Sequence, residues 1–333
     1  MIPLVSVIIP TANRPQFLPR AVESALAGLP PGEVEVIVVP NGPDQAWLQT
    51  RGKFAGNAHV RFEPIETGHA CAARNHGLSL ARGKLIRFLD DDDHLYPDVA
   101  LTQYRLMESS EADICSAGVD VVDAAGRLIK IWPQPATDDF VVATLSPSRM
   151  TWPGAHVFRR DAIRNWRWDE DLVVRQDTDW MIRLCTLKGL SWVRMDGAAG
   201  AYVQHRSVRV SRGTDPGPKA LRDTAEGILK VVRVLDERGE LSLERRVAAS
   251  DGLWSALQKG FMYEPRYWMR VGQKARVLAE GRRPPSRIYH SIFTRWIDPL
   301  WLTAALAPAR FSYMSLRRMF QNRHAFRRPW FGS

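Results

Sequence analysis

Leu85-Ile86-Arg87-Phe88-Leu89-Asp90-Asp91-Asp92-Asp93 is the stretch that decides the reading: a short apolar run that ends in four consecutive aspartates. A run of this length, rich in branched and aromatic residues and bounded by polar ones, reads as a buried strand. Four like charges at one strand end repel one another, and a fold keeps them where something cationic sits. Clustered carboxylates suit hard divalent ions such as Mg2+ or Mn2+, which take carboxylate and phosphate oxygens. A solvated acidic loop is the plain alternative for these four letters taken alone.

Upstream, strand-like and helix-like segments alternate. Leu4 to Ile9 is a β-rich run closed by Pro10, and Val34 to Val39 is a second, closed by the turn cluster Pro40-Asn41-Gly42-Pro43. Between them Phe17, Ala21, Ala25 and Leu29 recur at helical spacing. His59 to Pro64 reads as a third strand, and Ala70 to Ala81 as a helix closed by Arg82-Gly83. This order predicts an α/β fold with a parallel sheet and with ligands at the C-terminal ends of the strands.

Downstream the character changes. Thr214-Asp215-Pro216-Gly217-Pro218 reads as a linker, so the expected division is residues 1–213 and residues 214–333. Leu221, Ala225, Ile228, Val232 and Leu235 follow helical spacing, and further helices fit Leu241 to Gly260 and Tyr267 to Glu280. Residues 281–333 hold ten arginines and one acid, Asp298, which places +9 of the chain's +10 net charge there. The body is therefore nearly neutral, and the tail is basic and rich in large apolar residues. Ile292, Trp296 and Leu300 share one helical face there. Such a segment suits an anionic membrane surface, or else a helical layer packed on the body or an oligomer interface.

Other classes fit poorly. Cys71, Cys115 and Cys185 lie far apart, without ligand-like spacing, so neither a disulfide framework nor a cysteine metal site is expected. No basic segment precedes the first apolar run, so no signal peptide is expected, and a cytoplasmic setting fits. The body shows no basic recognition motif, so nucleic acid is not an expected partner. A nucleotidyltransferase would want a glycine-rich loop after the first strand, and Thr11-Ala12-Asn13-Arg14 is not one. An inactive relative stays open.

Four stretches, in order, resemble family 2 glycosyltransferases of the GT-A fold, of the SpsA-like kind. They are Val5 to Arg14, Ala73-Arg74-Asn75-His76-Gly77, Phe88 to Asp98, and Gln176 to Leu184, and the resemblance covers about residues 4–211. It implies a mostly parallel central sheet flanked by helices, with a C-terminal helical extension. It also implies an inverting, metal-dependent transfer from a nucleotide-sugar donor to a glycan or lipid-linked acceptor, with Mn2+ or Mg2+ as cofactor. Asp92 is then the metal ligand, and Asp90 and Asp91 lie against the donor. Pro10, Thr11, Asn13 and Arg14 line the base and ribose, and Arg74 and Asn75 lie near the phosphates. Arg74 has a structural ion pair as its alternative.

The family's second strand ends in a carboxylate that accepts the base imide N–H. Asn41 stands there, and an amide carbonyl can still accept that bond. The departure leaves UDP open against dTDP or GDP. The family's catalytic Glu-Asp pair falls on Gln176-Asp177, making Asp177 the expected base and Asp179 its competitor. His205, in Tyr202-Val203-Gln204-His205, is the candidate second metal ligand, with Ser207 and Ser211 following. Trp152 and Trp180 are the acceptor-side candidates; for Trp152 a place in the core is equally open.

Overall fold

A computed structural model describes residues 2–147, 152–205, 217–310 and 312. In chain order the first elements are β1 (Val5–Thr11), α1 (Leu18–Leu26), β2 (Val34–Pro40), α2 (Leu48–Lys53), β3 (Val60–Phe62), α3 (Ala70–Leu80) and β4 (Leu85–Phe88). There follow β5 (His94–Leu95), α4 (Pro97–Ser109), β6 (Ile114–Asp123), β7 (Leu128–Trp132), α5 (Phe140–Leu145), β8 (His156–Arg159) and α6 (Arg160–Ile163). The last are α7 (Gln176–Leu184), β9 (Trp192–Gln204), α8 (Gly217–Glu237), α9 (Leu243–Gly260) and α10 (Pro265–Leu278). A further helix covers residues 299–310.

The chain forms two compact units, and neither is continuous in sequence. Unit 1 takes residues 1–140, 150–172 and 187–205; unit 2 takes 141–149, 173–186 and 206–333. α7 and most of α5, which precede residue 213, belong with unit 2. Of the expected linker, residues 214–216 lie outside the described residues, and α8 begins at Gly217.

Unit 1 holds all nine strands in one sheet, ordered β3-β2-β1-β4-β8-β6-β9-β5, with β7 on β6. β1 and β2 are buried at every position, as parallel strands covered on both faces must be. The parallel block is β3-β2-β1-β4. Beyond it the sheet turns mixed: β8 runs antiparallel to both β4 and β6, while β9 runs parallel to β6. The expectation of a mostly parallel sheet holds for the first ninety residues, where the alternating pattern is clean.

Two local devices set the strand that carries the aspartates. Glu35 on β2 is buried, yet hydrogen bonds from Ser6 and Arg82 outweigh that burial and hold its carboxyl below the usual range. Gly83 then passes so close to the Ser6 amide that a Cβ there would overlap it. Together they fix the entry into β4 in register with β1. Past the aspartates, β5 pairs with β9 through His94↔Ala201 and Leu95↔Gly200. Gly200 is required at that crossing, since a Cβ would strike the His94 carbonyl.

Unit 2 is helical. α8 faces inward with Leu221, Ala225, Ile228, Val231 and Leu235; the spacing read from the sequence named Val232 in place of Val231, and Val232 is only half-buried. Ser242 caps α9 by accepting from the Arg245 amide at 3.3 Å. Gly252 sits where a Cβ would overlap the Leu145 carbonyl, so α9 packs closely on the end of α5. Among the described residues, no helix is long and apolar enough to cross a membrane.

Candidate active site

β1, β2 and β4 are neighbours, and each ends on the same edge of the sheet. Thr11, Asn41 and the run Asp90 to Asp93 follow directly from those ends. The topology thus gathers three of the sequence motifs into one place, at the position where open parallel sheets bind ligands.

Each aspartate has a different surrounding. Asp90 is the most open, with its side chain 29% exposed, and it accepts from Arg74 Nη2 at 2.7 Å. Asp91 is buried. Thr11 Oγ1 donates to its Oδ2 at 2.6 Å, and Arg14 Nη1 lies 3.0 Å from its Oδ1. Burial pushes the Asp91 carboxyl up to about 7, against the pull of Arg14. Asp92 is buried as well. Its Oδ2 meets Arg14 Nη1 at 2.5 Å and His205 Nε2 at 2.8 Å. Asp93 is fully buried: Trp152 Nε1 donates to Oδ2 at 2.6 Å and the Val203 amide to Oδ1 at 2.9 Å. Asp93 is thereby tied to the fold at both oxygens, and it anchors the loop.

A divalent ion fits this donor set. One ligand atom each from Asp90, Asp92 and Asp93 lies within 4.8 Å of the others, and these are hard oxygen donors. His205 adds an imidazole nitrogen against Asp92, so the two residues expected to share a metal stand together. The His205 ring also lies 4.3 Å from that of Phe17, which holds it in place. Arg14 already brings positive charge between Asp91 and Asp92. The sequence placed Arg14 against base and ribose; the structure directs its guanidinium to the carboxylates.

The remaining donor-side candidates divide into contacts and supports. Asn41 is buried, and both its amide N–H and its Nδ2 donate to the Thr11 carbonyl, at 3.0 and 2.9 Å. That leaves Oδ1 as the accepting end. Pro10 is buried in β1, opposite Val39 of β2. Asn13 is exposed and left-handed, at φ 57°, a conformation asparagine tolerates. Its amide is held at 2.9 Å by Asp44, a residue that the sequence reading passed over. Arg74 is buried, and its guanidinium lies over the Trp168 ring at 4.5 Å while it pairs with Asp90. Asn75 braces a loop: Nδ2 donates to the Trp168 carbonyl and to Glu170, while Oδ1 accepts the Trp168 amide.

The acceptor-side tryptophans need correction. Trp152 is 5% exposed, and its indole N–H is held by Asp93. Trp180, in unit 2, is 1% exposed. Neither ring has a face open to a sugar. The aromatic letters were visible in the sequence, but not the packing that covers them.

Asp177 and Asp179 lie in the first turn of α7, in unit 2, where the helix dipole favours negative charge. Asp179 Oδ2 accepts from Arg183 Nε at 2.6 Å, one helical turn on. The residue before the helix, Arg175, is left-handed at φ 59°. It has no glycine or asparagine to signal that turn, so it was missed. Ser207 and Ser211 lie outside the described residues.

Residues 6–167 match the family model for glycosyl transferase family 2. That segment, just under half of the chain, is similar to glycosyl transferase family 2. Among curated relatives, the chondroitin synthase of Pasteurella multocida is 29% identical over 194 residues, 55% of this chain and 19% of its own length. The succinoglycan biosynthesis protein ExoU of Rhizobium meliloti is 33% identical over 147 residues, 41% of each chain. The chain thus spans less than half of either relative. Among solved structures, residues 1–349 of S. aureus TarS, determined with UDP-GlcNAc, align at a TM-score of 0.57 and 18% identity. That alignment covers 83% of this chain and 90% of TarS 1–349. At that identity the likeness shows the fold, a GT-A transferase architecture.

Trp152→Phe removes the donor to Asp93 along with part of the buried indole. Leaving a buried carboxylate short of one hydrogen bond should lower stability by about 1–3 kcal/mol. Urea unfolding followed by circular dichroism measures this; a midpoint equal to wild type would mean that the bond does not anchor the loop.

Proposed function

We propose that this protein is an inverting, metal-dependent glycosyltransferase. It moves a sugar from a nucleoside-diphosphate donor, UDP- or dTDP-linked, to a hydroxyl of a glycan or lipid-linked acceptor in cell-surface polysaccharide or glycoconjugate synthesis. The observation that carries this reading is the meeting of Asp92 with His205, beside Asp90, at the strand edge that also presents Thr11 and Asn41. The match to the family model supports it, as do a chondroitin synthase and a succinoglycan biosynthesis protein among the relatives.

Asp92 and His205, with Asp90, would hold Mn2+ or Mg2+. When bound, the ion neutralises charge on the leaving diphosphate as a Lewis acid. Asn41 Oδ1 accepts the imide N–H of the base. Arg74, held flat by Trp168, supplies a fixed cation for phosphate oxygens. Asp177 is the base in this reading: it takes the proton of the acceptor hydroxyl as that oxygen attacks the anomeric carbon. The bond to the diphosphate breaks on the opposite face, and the anomeric centre inverts.

A separate observation favours work at a membrane surface. In unit 2, Ile292, Phe293, Trp296 and Trp301 are exposed at 66, 83, 80 and 69%. Arg295 lies over the Trp296 ring at 4.7 Å. Exposed aromatics among arginines suit the headgroup region of an anionic bilayer, where each cation adds about 1 kcal/mol. The protein would then be peripheral, at the inner face of the cytoplasmic membrane.

Asp92→Asn should lower nucleotide-sugar turnover by at least about a hundredfold, and EDTA should do the same to wild type, reversed by Mn2+. Release of nucleoside diphosphate across a panel of sugar donors measures both; turnover indifferent to EDTA would remove the metal. Asp177→Asn should reduce kcat by about a hundred to ten-thousand-fold with donor affinity nearly intact. If Asp179→Asn is instead the dead variant, the two carboxylates exchange roles. Sedimentation with phosphatidylglycerol liposomes at low salt should carry down wild type, and Phe293→Ser/Trp296→Ser should leave most of the protein in the supernatant. Equal pelleting of both would leave these side chains without a lipid role.

A further inference from the structure

With Trp152 and Trp180 buried, unit 1 presents another aromatic surface. Lys130 on β7 and Tyr202 on β9 both stand opposite Val121 of β6, and Trp132 stands opposite Val119. Lys130, Trp132 and Tyr202 therefore rise from one face of three adjacent strands. The Trp132 and Tyr202 rings lie 5.5 Å apart, tilted by 35°, and Lys130 Nζ is 4.6 Å from the Trp132 centroid. Val119 and Val121 form a buried floor beneath them. Trp132 is nevertheless 38% exposed.

The strand that carries Tyr202 leads on to the aspartates. The residue after Tyr202 is Val203, whose amide is hydrogen-bonded to Asp93, and β9 runs on to His205, which meets Asp92. At about 3.3 Å per residue, Tyr202 and His205 are about 10 Å apart along the chain.

We infer that Trp132 and Tyr202 form a saccharide-binding platform for the acceptor glycan, an inference that rests on the glycosyltransferase reading. The C–H face of a pyranose stacks on an exposed indole or phenol ring. Lys130, an exposed and mobile ammonium, can turn from the ring to donate to a sugar hydroxyl or pair with a uronate. The buried valines seat the two rings, and β9 ties them to the aspartate site through Val203. A partner protein needs neither feature.

The test applies the full-length protein to an array of immobilised oligosaccharides, then titrates the best binder in solution. Wild type should retain at least one glycan. Trp132→Ala should weaken it by about tenfold or more, while Trp132→Phe stays close to wild type. Thermal protection by UDP-sugars with Mn2+ should be unchanged in Trp132→Ala, which separates loss of the platform from loss of the fold or of the donor site. Retention of no glycan by wild type, or equal binding by Trp132→Ala, overturns the platform. So does a concentration-dependent dimer in wild type that Trp132→Ala abolishes, since the face would then belong to a second copy. Glycan binding that depends on Trp132, in a protein that turns over no nucleotide sugar, would sink the transferase reading and leave the platform standing.

Discussion

Burying carboxylate groups costs several kcal/mol each unless the surroundings repay their lost hydration. Asp91, Asp92 and Asp93 are each at most 3% exposed, side by side at the end of one strand. The structure answers with a specific partner for each: Thr11 and Arg14 for Asp91, Arg14 and His205 for Asp92, Trp152 and the Val203 amide for Asp93. Those partners come from β1, from the segment before β8 and from β9. The mixed half of the sheet is thus coupled to the parallel half through the requirement to compensate these charges.

The same compensation separates the chemistry of four identical letters. Asp93 is a structural anchor because neutral donors hold both of its oxygens. Asp92 meets a guanidinium and an imidazole, groups that can yield to or share a harder cation. Asp90, paired with Arg74 yet partly open, faces outward. Sequence proximity gave these residues one label, and the surroundings gave them three roles.

Much of this was legible in the sequence where periodicity is strong. The strands β1, β2 and β4 and helices α3, α8 and α9 appear within a few residues of their expected limits, because apolar spacing and turn residues mark them. Asp92 and His205 were each named as candidate metal ligands, from resemblance and not from spacing, and the 2.8 Å contact between them was not legible. What escaped was long-range. β6 and β9 mix small, charged and aromatic residues, as mixed strands with one partly open face do, and no simple alternation marks them. That Trp152 holds Asp93 depends on a contact across 59 positions. The left-handed Arg175 before α7 carries no glycine or asparagine signal, and its cost is met by the surrounding structure.

The order of the sheet also sets an order of assembly. β9 lies between β6 and β5, yet it is made of residues 192–204, long after both of its neighbours. As the chain leaves the ribosome, the four aspartates emerge with β4, while Trp152, Val203 and His205 follow tens of residues behind. Until β9 arrives, β6 has an open edge and the aspartates lack half of their partners. Such non-local pairings close slowly, because the entropy of a long loop must be lost before any contact rewards it. A nascent chain that has not yet reached β9 therefore holds its four aspartates without the Val203 amide and the His205 ring, and its β6 without the β9 edge.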